Sequence, residues 1–546
     1  MKFILHIVFL LVSLQAFSQD TLFTERDTII DDGKIKVDQV EIIKAFEAKL
    51  LEAKMISVLP SPPVVTPKKQ TYNYQITIVP IDIIYPDPVI KPLAINPTSL
   101  DPGNRFYAKL GYGNLNSPFA DVSYHGTRGE DLDYLIYGQF NGLDDSKNLE
   151  NRTYYDGEVG TNIGYRINEN HKLNIGLKGE YDKRYLYDTS LTVFIGDTLG
   201  LDRTFIDGSA FVNFSNIETT NLGLDYTIGL KGGYLDADDF NEYRVGLQGS
   251  FFKSFNPKFA LGIEIDGNIA NLNSANEFLH YSTVLPTAKG LIGKISYSIA
   301  GDLFYDIDGF SPFVDAEINI PVVTNSLNLF IGSDQKIVDN TLHTRYNTNP
   351  FIDRNMPVQT NTIRQQIYGG IKGAFQDVVS YEITAGYEEI KNQRIDAPLR
   401  NLGFDQIFDD GNNIFIEGNI NININDNLTA GGTVSQNIIN LDSLEAPLNL
   451  PLASYSVFGQ YELWNDRITL RAETFLQDAI SWQNFNTGEL FTGNAMIDIN
   501  AELNVKLHEK FGLWVRANNL IDREYIRYWN HPTVGRNFLG GIRVVF

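Results

Sequence analysis

The feature that most constrains this chain is a strict alternation of apolar and polar residues, written many times over. In MIDINAELNVKLHEKFG, residues 496–512, the odd positions from Ala495 to Leu507 are apolar and the even positions from Asp498 to His508 are polar. Neighbouring side chains of a β-strand point to opposite faces, so a period of two predicts a strand with one apolar and one wet face.

The same pattern recurs from about Asn104 to Phe546. Clear examples are HKLNIGLKGEY at 171–181, NIFIEGNININI at 413–424 and RITLRAETF at 467–475. The chain is therefore predicted to be all-β from residue 104 onward.

The connections between these strands come in two sizes. Tight polar turns are predicted at 128–130, 168–170, 218–220, 256–257, 324–325, 376–377, 426–427, 465–466 and 508–509, with a weakly marked one near 289–294. Longer Asp- and Asn-rich loops are predicted at 142–153, 184–204, 338–361, 391–412, 440–451 and 520–535. Short turns on one side and long loops on the other are typical of outer-membrane barrels. With the weakly marked turn the prediction is about 22 strands, and without it about 20.

Backbone hydrogen bonding decides between an open sheet and a closed barrel. A strand whose apolar face meets lipid cannot leave an edge unpaired, because each orphan amide is costly in hydrocarbon. Closure removes the edges. The sequence therefore predicts a transmembrane antiparallel β-barrel over residues 104–546; a soluble all-β array is the alternative.

The first 18 residues have the pattern of a secretory signal peptide. Lys2 precedes an apolar run from Phe3 to Leu14, and Ala16, Phe17 and Ser18 form a small-x-small site before Gln19. The run is too short for a membrane anchor, which is the competing interpretation. We expect an exported chain in the outer membrane of a Gram-negative cell.

Residues 19–103 differ from the rest. A short amphipathic helix is predicted at about 37–56, and the ten prolines between Pro60 and Pro102 favour an extended segment over 60–103. We expect a periplasmic extension without a plug domain. It is interpreted as a tether, and a lumen filler or a docking strand for a partner are the alternatives.

Composition excludes several functions. The chain has 44 Lys and Arg against 67 Asp and Glu, which argues against nucleic acid as a partner, and it has no cysteine for disulfides, thiol catalysis or a zinc-cysteine site. None of its histidines has metal-ligand spacing from another; they are His6, His125, His171, His280, His343, His508 and His531. We expect no catalytic, cofactor or metal site and no enzyme, although a Ser/His/acid group assembled from distant strands would leave no motif.

Two further sets of residues are predicted to lie near the outer ends of the strands. The acidic clusters 142–148, 236–239 and 408–413 are interpreted as solvated loops, with divalent-ion bridging to lipopolysaccharide as the alternative. The aromatic set is interpreted as an interface girdle, with stacking platforms for a carbohydrate as the alternative. Its members are Tyr154, Tyr155, Tyr185, Tyr187, Trp482, Tyr525, Tyr528 and Trp529.

The C-terminus carries the most specific signal. Phe538, Gly540, Ile542, Val544 and Phe546 share one face of the final strand, which resembles the signal read by the outer-membrane insertion machinery. ANNLIDREY at 517–525 and PTVGRNFLGGIRVVF at 532–546 resemble the end of the barrel domain of TonB-dependent receptors. The matching residues are Asn519, Leu520, Asp522, Gly535, Arg536 and Phe538. The resemblance implies a plugless relative of that family and covers residues 104–546.

Three functions are consistent with this sequence. The first is a porin-like or partner-gated channel for polar solutes, because a barrel of this width encloses a lumen. The second is a scaffold subunit of an outer-membrane complex that docks a partner through residues 19–103. The third is TonB-energised uptake. The expected partners are outer-membrane lipid, lipopolysaccharide and the insertion machinery.

Overall fold

The computed structural model describes residues 105–187, 202–237, 240–272, 277–324, 326–352, 360–376, 378–398, 404–484 and 488–546. The predicted signal peptide, the helix at 37–56 and the Pro-rich segment 60–103 lie outside these residues. The prediction that the chain has no plug domain also concerns residues outside these ranges.

Almost every described residue belongs to a strand or to a connection between two strands. The strands are β1 (Phe106–Gly113), β2 (Ser117–Arg128), β3 (Leu132–Asp144), β4 (Thr153–Asn168), β5 (His171–Tyr185), β6 (Asp202–Asn216), β7 (Leu224–Ala237), β8 (Phe240–Asn256), β9 (Phe259–Leu272), β10 (Glu277–Ile292), β11 (Ile295–Asp306), β12 (Gly309–Val323), β13 (Leu327–Val338), β14 (Thr362–Phe375), β15 (Val379–Pro398), β16 (Phe404–Asn425), β17 (Leu428–Leu441), β18 (Ala453–Leu463), β19 (Ile468–Gln477), β20 (Ser481–Asn484), β21 (Glu489–Thr492), β22 (Met496–His508), β23 (Phe511–Asn518), β24 (Ile526–Tyr528), β25 (His531–Pro532) and β26 (Asn537–Val545). The described residues contain one helix, α1 (Leu342–Thr348), between β13 and β14.

The sheet closes on itself. Strands β1 to β19, β22, β23 and β26 form one 22-stranded antiparallel sheet, and β20–β21 and β24–β25 are small separate hairpins. The first and last strands pair, so that Phe106 and Phe546 exchange two backbone hydrogen bonds of 2.9 Å. Closure leaves this sheet without an edge, and the predicted all-β barrel with about 22 strands is confirmed.

All the predicted tight turns join sequential strands at one end of the barrel, where Phe106 and Phe546 also lie. The weakly marked turn is real: Gly293 lies between β10 and β11 with φ of 65°, a conformation that favours glycine. The long connections all leave from the other end. In outer-membrane barrels the short turns are periplasmic and the long loops are extracellular.

The predicted long loop at 391–412 is wrong. Strands β15 and β16 continue through most of it, pairing Gln393 with Asp409 and Pro398 with Phe404 beyond a bulge at Ile390–Gln393. Only 399–403 separates them. The polar composition of this stretch is typical of loops, but its backbone hydrogen bonds are satisfied by the pairing of β15 with β16.

The outward face is an apolar belt. Six apolar residues on this face are 57–63% exposed: Val159, Leu230, Val245, Val314, Ile367 and Val457. In the opening stretch Leu503 is 38% exposed and its neighbour Glu502 only 7%, as the alternation predicts. Such a belt around a closed barrel requires hydrocarbon, so the chain resides in an outer membrane. Within the described ranges, no helix has the length and apolar character needed to cross a bilayer.

Candidate functional site at the barrel mouth

The extracellular mouth of the barrel is covered by its own loops. We call the described parts of three connections the lid: residues 339–352, which contain α1, residues 478–495 and residues 519–536. Their apolar side chains join residues of the upper strands in one cluster. Its buried members are Leu186, Phe205, Leu235, Ala237, Leu272, Leu342, Tyr346, Phe351, Ile352, Phe404, Ile480 and Trp482, and Tyr187, Phe240, Ile526, Tyr528 and Trp529 pack against them.

Phe351 lies where loops from distant parts of the rim meet. Its ring centroid is 3.9 Å from that of His531, 5.4 Å from Tyr528 and 5.8 Å from Tyr187. These residues belong to the connections after β13, β23 and β5, which are well separated around the barrel. Loops from such distant points can touch only across the opening.

A second aromatic group extends the lid to the hairpin β20–β21. Trp529 lies 4.3 Å from Phe491 and 6.0 Å from Trp482, measured between ring centroids. Trp482 is only 1% exposed. Burying a tryptophan this fully is one of the larger single contributions a lid of this size can receive.

Polar contacts hold the same loops. The Tyr528 hydroxyl donates to the Thr348 carbonyl oxygen at 2.6 Å. Arg152, in the connection after β3, donates to the Glu524 carboxylate at 2.8 Å and to the Thr533 carbonyl oxygen at 3.2 Å. The first contact joins two parts of the lid, and the contacts of Arg152 tie the lid to one further point of the rim.

Helix α1 is anchored to the barrel wall through β5 and β8. Thr341 caps its N-terminus, accepting from the Thr344 amide at 3.2 Å. The fully buried Glu242 of β8 accepts from the Leu342 and His343 amides at 2.5 and 3.3 Å, and a carboxylate is favourable at a helix N-terminus. The Tyr346 hydroxyl donates to Asp182 of β5 at 2.8 Å.

Below α1 lies a polar cavity of about 260 Å³. Its lining includes Glu180, Asp207, Arg244, His280 and His343. The cavity lies between the start of α1 and the extracellular halves of β5 to β10.

Deeper in the barrel, the lumen face of β11 to β16 carries more carboxylates than cations. Asp315 illustrates the crowding, since Asp334, Asp302, Glu264 and Glu317 all act on it electrostatically. The carboxylates are Asp302, Asp315, Glu317, Asp334, Glu382, Glu388 and Glu417, and the cations are Lys336, Arg364 and Lys372. A cation in this lumen is therefore favoured over an anion.

The acidic clusters are less solvated than the sequence predicts. Asp145 is 2% exposed and pairs with Arg152. Asp409 lies inside β16, is 8% exposed and accepts from the Ser443 and Leu444 amides at 3.0 and 3.1 Å. Both carboxylates fix neighbouring loops. In the cluster at 236–239, residues 238 and 239 lie outside the described residues.

The interface-girdle interpretation is wrong for four of the aromatic residues. Tyr187, Trp482, Tyr528 and Trp529 belong to the lid cluster, where they pack on other loops. Burial raises the pKa of Tyr187 to about 12, which keeps its hydroxyl neutral. Tyr525 is also buried, at 9% exposed.

The residues of the C-terminal motif are brought together at the base of the last connection. The Asn519 side chain donates to the Arg523 and Val534 carbonyl oxygens at 2.9 and 3.1 Å. Asp522 accepts from the Arg536 amide at 2.8 Å and from its guanidinium at 3.0 Å. These two contacts, the amide first, lower the pKa of Asp522. The motif closes the loop before the final strand.

Two more members of that motif have steric or surface roles. A Cβ at Gly535 would meet Asp522 Oδ1 at 2.9 Å, so glycine allows this close approach. Leu520 is 38% exposed, whereas its neighbour Asn519 is only 4% exposed.

The predicted assembly signal forms one face of β26. Phe538, Ile542 and Phe546 are 44%, 50% and 49% exposed on the lipid side, and Gly540 and Val544 lie between them on the same face. Phe546 contacts Phe106 and Phe511 with ring centroids 6.3 and 5.8 Å apart. Its reading by the insertion machinery stays a prediction.

A closed barrel with an apolar belt, a polar lumen and loops folded over one mouth defines an outer-membrane β-barrel protein. No family model matches the sequence, and neither does any curated protein sequence. The similarity lies in solved structures.

The structure is similar to the FrpB iron transporter from Neisseria meningitidis, with a TM-score of 0.63, 13% identity and 81% of each chain covered. It is also similar to the ferripyoverdine receptor of the outer membrane of Pseudomonas aeruginosa, with a TM-score of 0.59, 12% identity and 81% of this chain and 72% of that chain covered. For the ferric-catecholate import receptor Fiu from E. coli K12 the TM-score is 0.60 at 10% identity, with 81% and 82% covered. These are TonB-dependent receptor barrels, and the likeness is one of fold.

Proposed function

We propose that this chain is a non-enzymatic gated channel of the outer membrane, without a plug, that admits polar solutes and uses the lid as its outer gate. The observation that carries the proposal is the apolar cluster of loops across a polar lumen. A structural scaffold has no need of a polar lumen covered by its own loops.

The lid explains how such a barrel can be tolerated. An unobstructed lumen of this width would let solutes leak through the membrane. A cover that packs around Phe351 and Trp482 keeps the mouth closed, and its opening admits solute to the cavity below. The acidic face of the lumen favours cationic solutes.

The solved structures that resemble this chain are iron or siderophore transporters by name. A metal chelate is therefore a reasonable first solute to test. The alternatives from the sequence, a docking scaffold and energised uptake, both depend on residues 19–103.

Conductance in planar bilayers tests the proposal. Replacing a buried aromatic residue by alanine costs about 3–5 kcal/mol, which shifts the equilibrium between closed and open lid by about a hundredfold or more. We expect Trp482→Ala to conduct far more often than the unmodified mature chain, with a reversal potential that shows cation preference.

Trp464→Ala is the matched control. Trp464 is 73% exposed at the turn between β18 and β19, far from the lid, and its removal should leave conductance unchanged. Absence of current from both variants, with and without residues 19–103, would overturn the channel in favour of a scaffold.

A further inference from the structure

Three side chains with metal-binding atoms meet beneath α1. Glu180 comes from β5, Asp207 from β6 and His343 from α1, and one ligand atom of each lies within 4.8 Å of the others. We propose that they bind one divalent transition-metal ion, of which Zn²⁺ is the representative, and that this ion holds α1 against the barrel wall. The effect on the gate rests on the proposed function; the binding does not.

Each carboxylate has one oxygen occupied and one turned toward His343. Glu180 Oε1 accepts from Lys178 Nζ at 2.8 Å, and its Oε2 lies 3.5 Å from His343 Nε2. Asp207 Oδ2 pairs with Arg244, and its Oδ1 lies 4.0 Å from the same nitrogen. One oxygen of each carboxylate and one nitrogen of His343 thus converge.

Asp207 supplies the second, independent observation. Its residue is 4% exposed, and its buried Oδ1 has no hydrogen-bond partner. Leaving a buried carboxylate oxygen unsatisfied costs free energy, so this atom requires a donor or a cation. At 4.0 Å, His343 is too far away to donate to it.

The His343 nitrogen has one polar neighbour that an ion must displace. Asn347 Nδ2 lies 3.2 Å from His343 Nε2. A cation at the point where the three ligand atoms meet contacts all of them once Asn347 turns aside.

The donor set selects the ion. Neutral imidazole and carboxylates are ligands for Zn²⁺, at about 2.0–2.2 Å, with water completing the tetrahedron. Tetrahedral ligands at such lengths are about 3.4 Å apart, so the observed separations need only a small side-chain adjustment. Calcium is disfavoured because it prefers an all-oxygen shell with more ligands.

Lys178 and Arg244 have two opposite effects on this site. They hold the outer oxygens of the two carboxylates, as hydrogen bonds from surrounding groups orient ligands in metal sites. Their positive charge also repels a dication. We therefore expect reversible binding that responds to metal concentration, rather than a permanently occupied structural site.

Metal binding is tested directly on the full mature protein in detergent. After EDTA treatment and removal of the chelator, Zn²⁺ is titrated by calorimetry, and Co²⁺ by its visible absorption. We expect one ion per chain, and an increase in Kd of about a hundredfold in His343→Gln. Glu180→Gln provides a second variant with the same expected direction.

His280→Gln is the matched control, because His280 lines the same cavity but is not one of the three ligands. It should keep the Kd of the unmodified chain. Failure of that chain to bind saturably, or an unchanged Kd in His343→Gln, would overturn the site.

Conductance separates this inference from the channel proposal. If the ion holds α1 in place, Zn²⁺ should lower the open probability of the unmodified chain and leave that of His343→Gln unchanged. Saturable binding with no change in conductance would keep the site and overturn its role at the gate. If the unmodified chain conducts but does not bind Zn²⁺, the site is overturned and the channel still stands.

Discussion

The wall of the barrel repeats one rule from strand to strand, whereas the lid follows no repeat. The wall strands mostly alternate an apolar side chain toward lipid with a polar one toward the lumen, and each pairs with the wall strands next to it in sequence, apart from the closing pair of β1 and β26. The lid joins residues far apart, as between Tyr528 and Thr348, which are 180 positions apart. Its apolar residues face one another and not lipid.

The wall and the lid are therefore stabilised by different interactions. Wall strands are held by continuous backbone ladders, which have no alternative partners in hydrocarbon. The lid is held by a few rings and side-chain hydrogen bonds in water, and such regions open at lower free energy than a continuous sheet. A rigid wall with a separable cover is the arrangement a gate requires.

The largest expected effect comes from a buried ion network in the wall, where the simple rule of alternation is not enough. Glu502 accepts from Lys109 at 2.6 Å and from Arg516 at 2.8 Å, near the closure of the first and last strands. Glu502→Gln removes the ion-pair partner of two buried cations and leaves only the charge of Asp121 near them, so it should cost about 3–5 kcal/mol. Equilibrium unfolding in detergent micelles measures it.

Glu473→Gln is the control for that prediction. Glu473 lies 3.8 Å from Arg471, and both side chains are about a third exposed in the lumen. A loss below about 1 kcal/mol is expected for such a pair. Equal losses for the two variants would contradict the special role of the Glu502 network.

The next effect tests which face of the wall meets lipid. Leu230 points outward near the middle of β7, and Leu230→Arg should destabilise the folded barrel by about 2–4 kcal/mol in a bilayer. Thr227→Arg, on the lumen face of the same strand opposite Ser250, should be tolerated. Folding titrations in lipid vesicles measure both, and a reversed order would contradict the facing of the strand.

A smaller effect is expected at the base of the lid. Asn519 is buried, has φ of 48° and makes the two hydrogen bonds to carbonyl oxygens described above. Asn519→Ala should loosen this loop by about 1–3 kcal/mol, because both the bonds and the tolerance of a left-handed backbone are lost. Leu520→Ala should change it by less than about 0.5 kcal/mol. Proteolysis of the loop under native conditions measures the difference, and comparable cleavage of the two variants would refute it.

The wall could be predicted because its information is local. Alternation fixes the face of each residue, and polar pairs such as Asn465 and Asp466 mark where strands reverse. The wrong prediction of a loop at 391–412 also comes from reliance on local information. Polar composition was the only local signal there, and the pairing of β15 with β16 in this stretch has no sequence pattern that would reveal it. The final strand and the C-terminal motif at 517–525 and 532–546 were also predictable, because the residues of each lie close together in the sequence.

The lid and the cluster beneath it could not be predicted. Phe351 and His531 carry no mutual spacing that a pattern would reveal, and Glu180, Asp207 and His343 come from three separate elements. Their meeting depends on how loops fold across an opening. Aromatic residues at strand ends were the available signal, and lipid interfaces are the commoner reason for that pattern.

The central claim, that the lid seals a polar lumen from outside, is tested most directly by thiol labelling, because the chain contains no cysteine of its own. Gln248→Cys places a single thiol on the lumen face of β8, where Gln248 contacts Asn213. With a bulky, membrane-impermeant thiol reagent added to intact cells, we predict slow labelling in the otherwise unmodified chain and fast labelling when Trp482→Ala is added. Equally fast labelling with and without Trp482 would contradict the account.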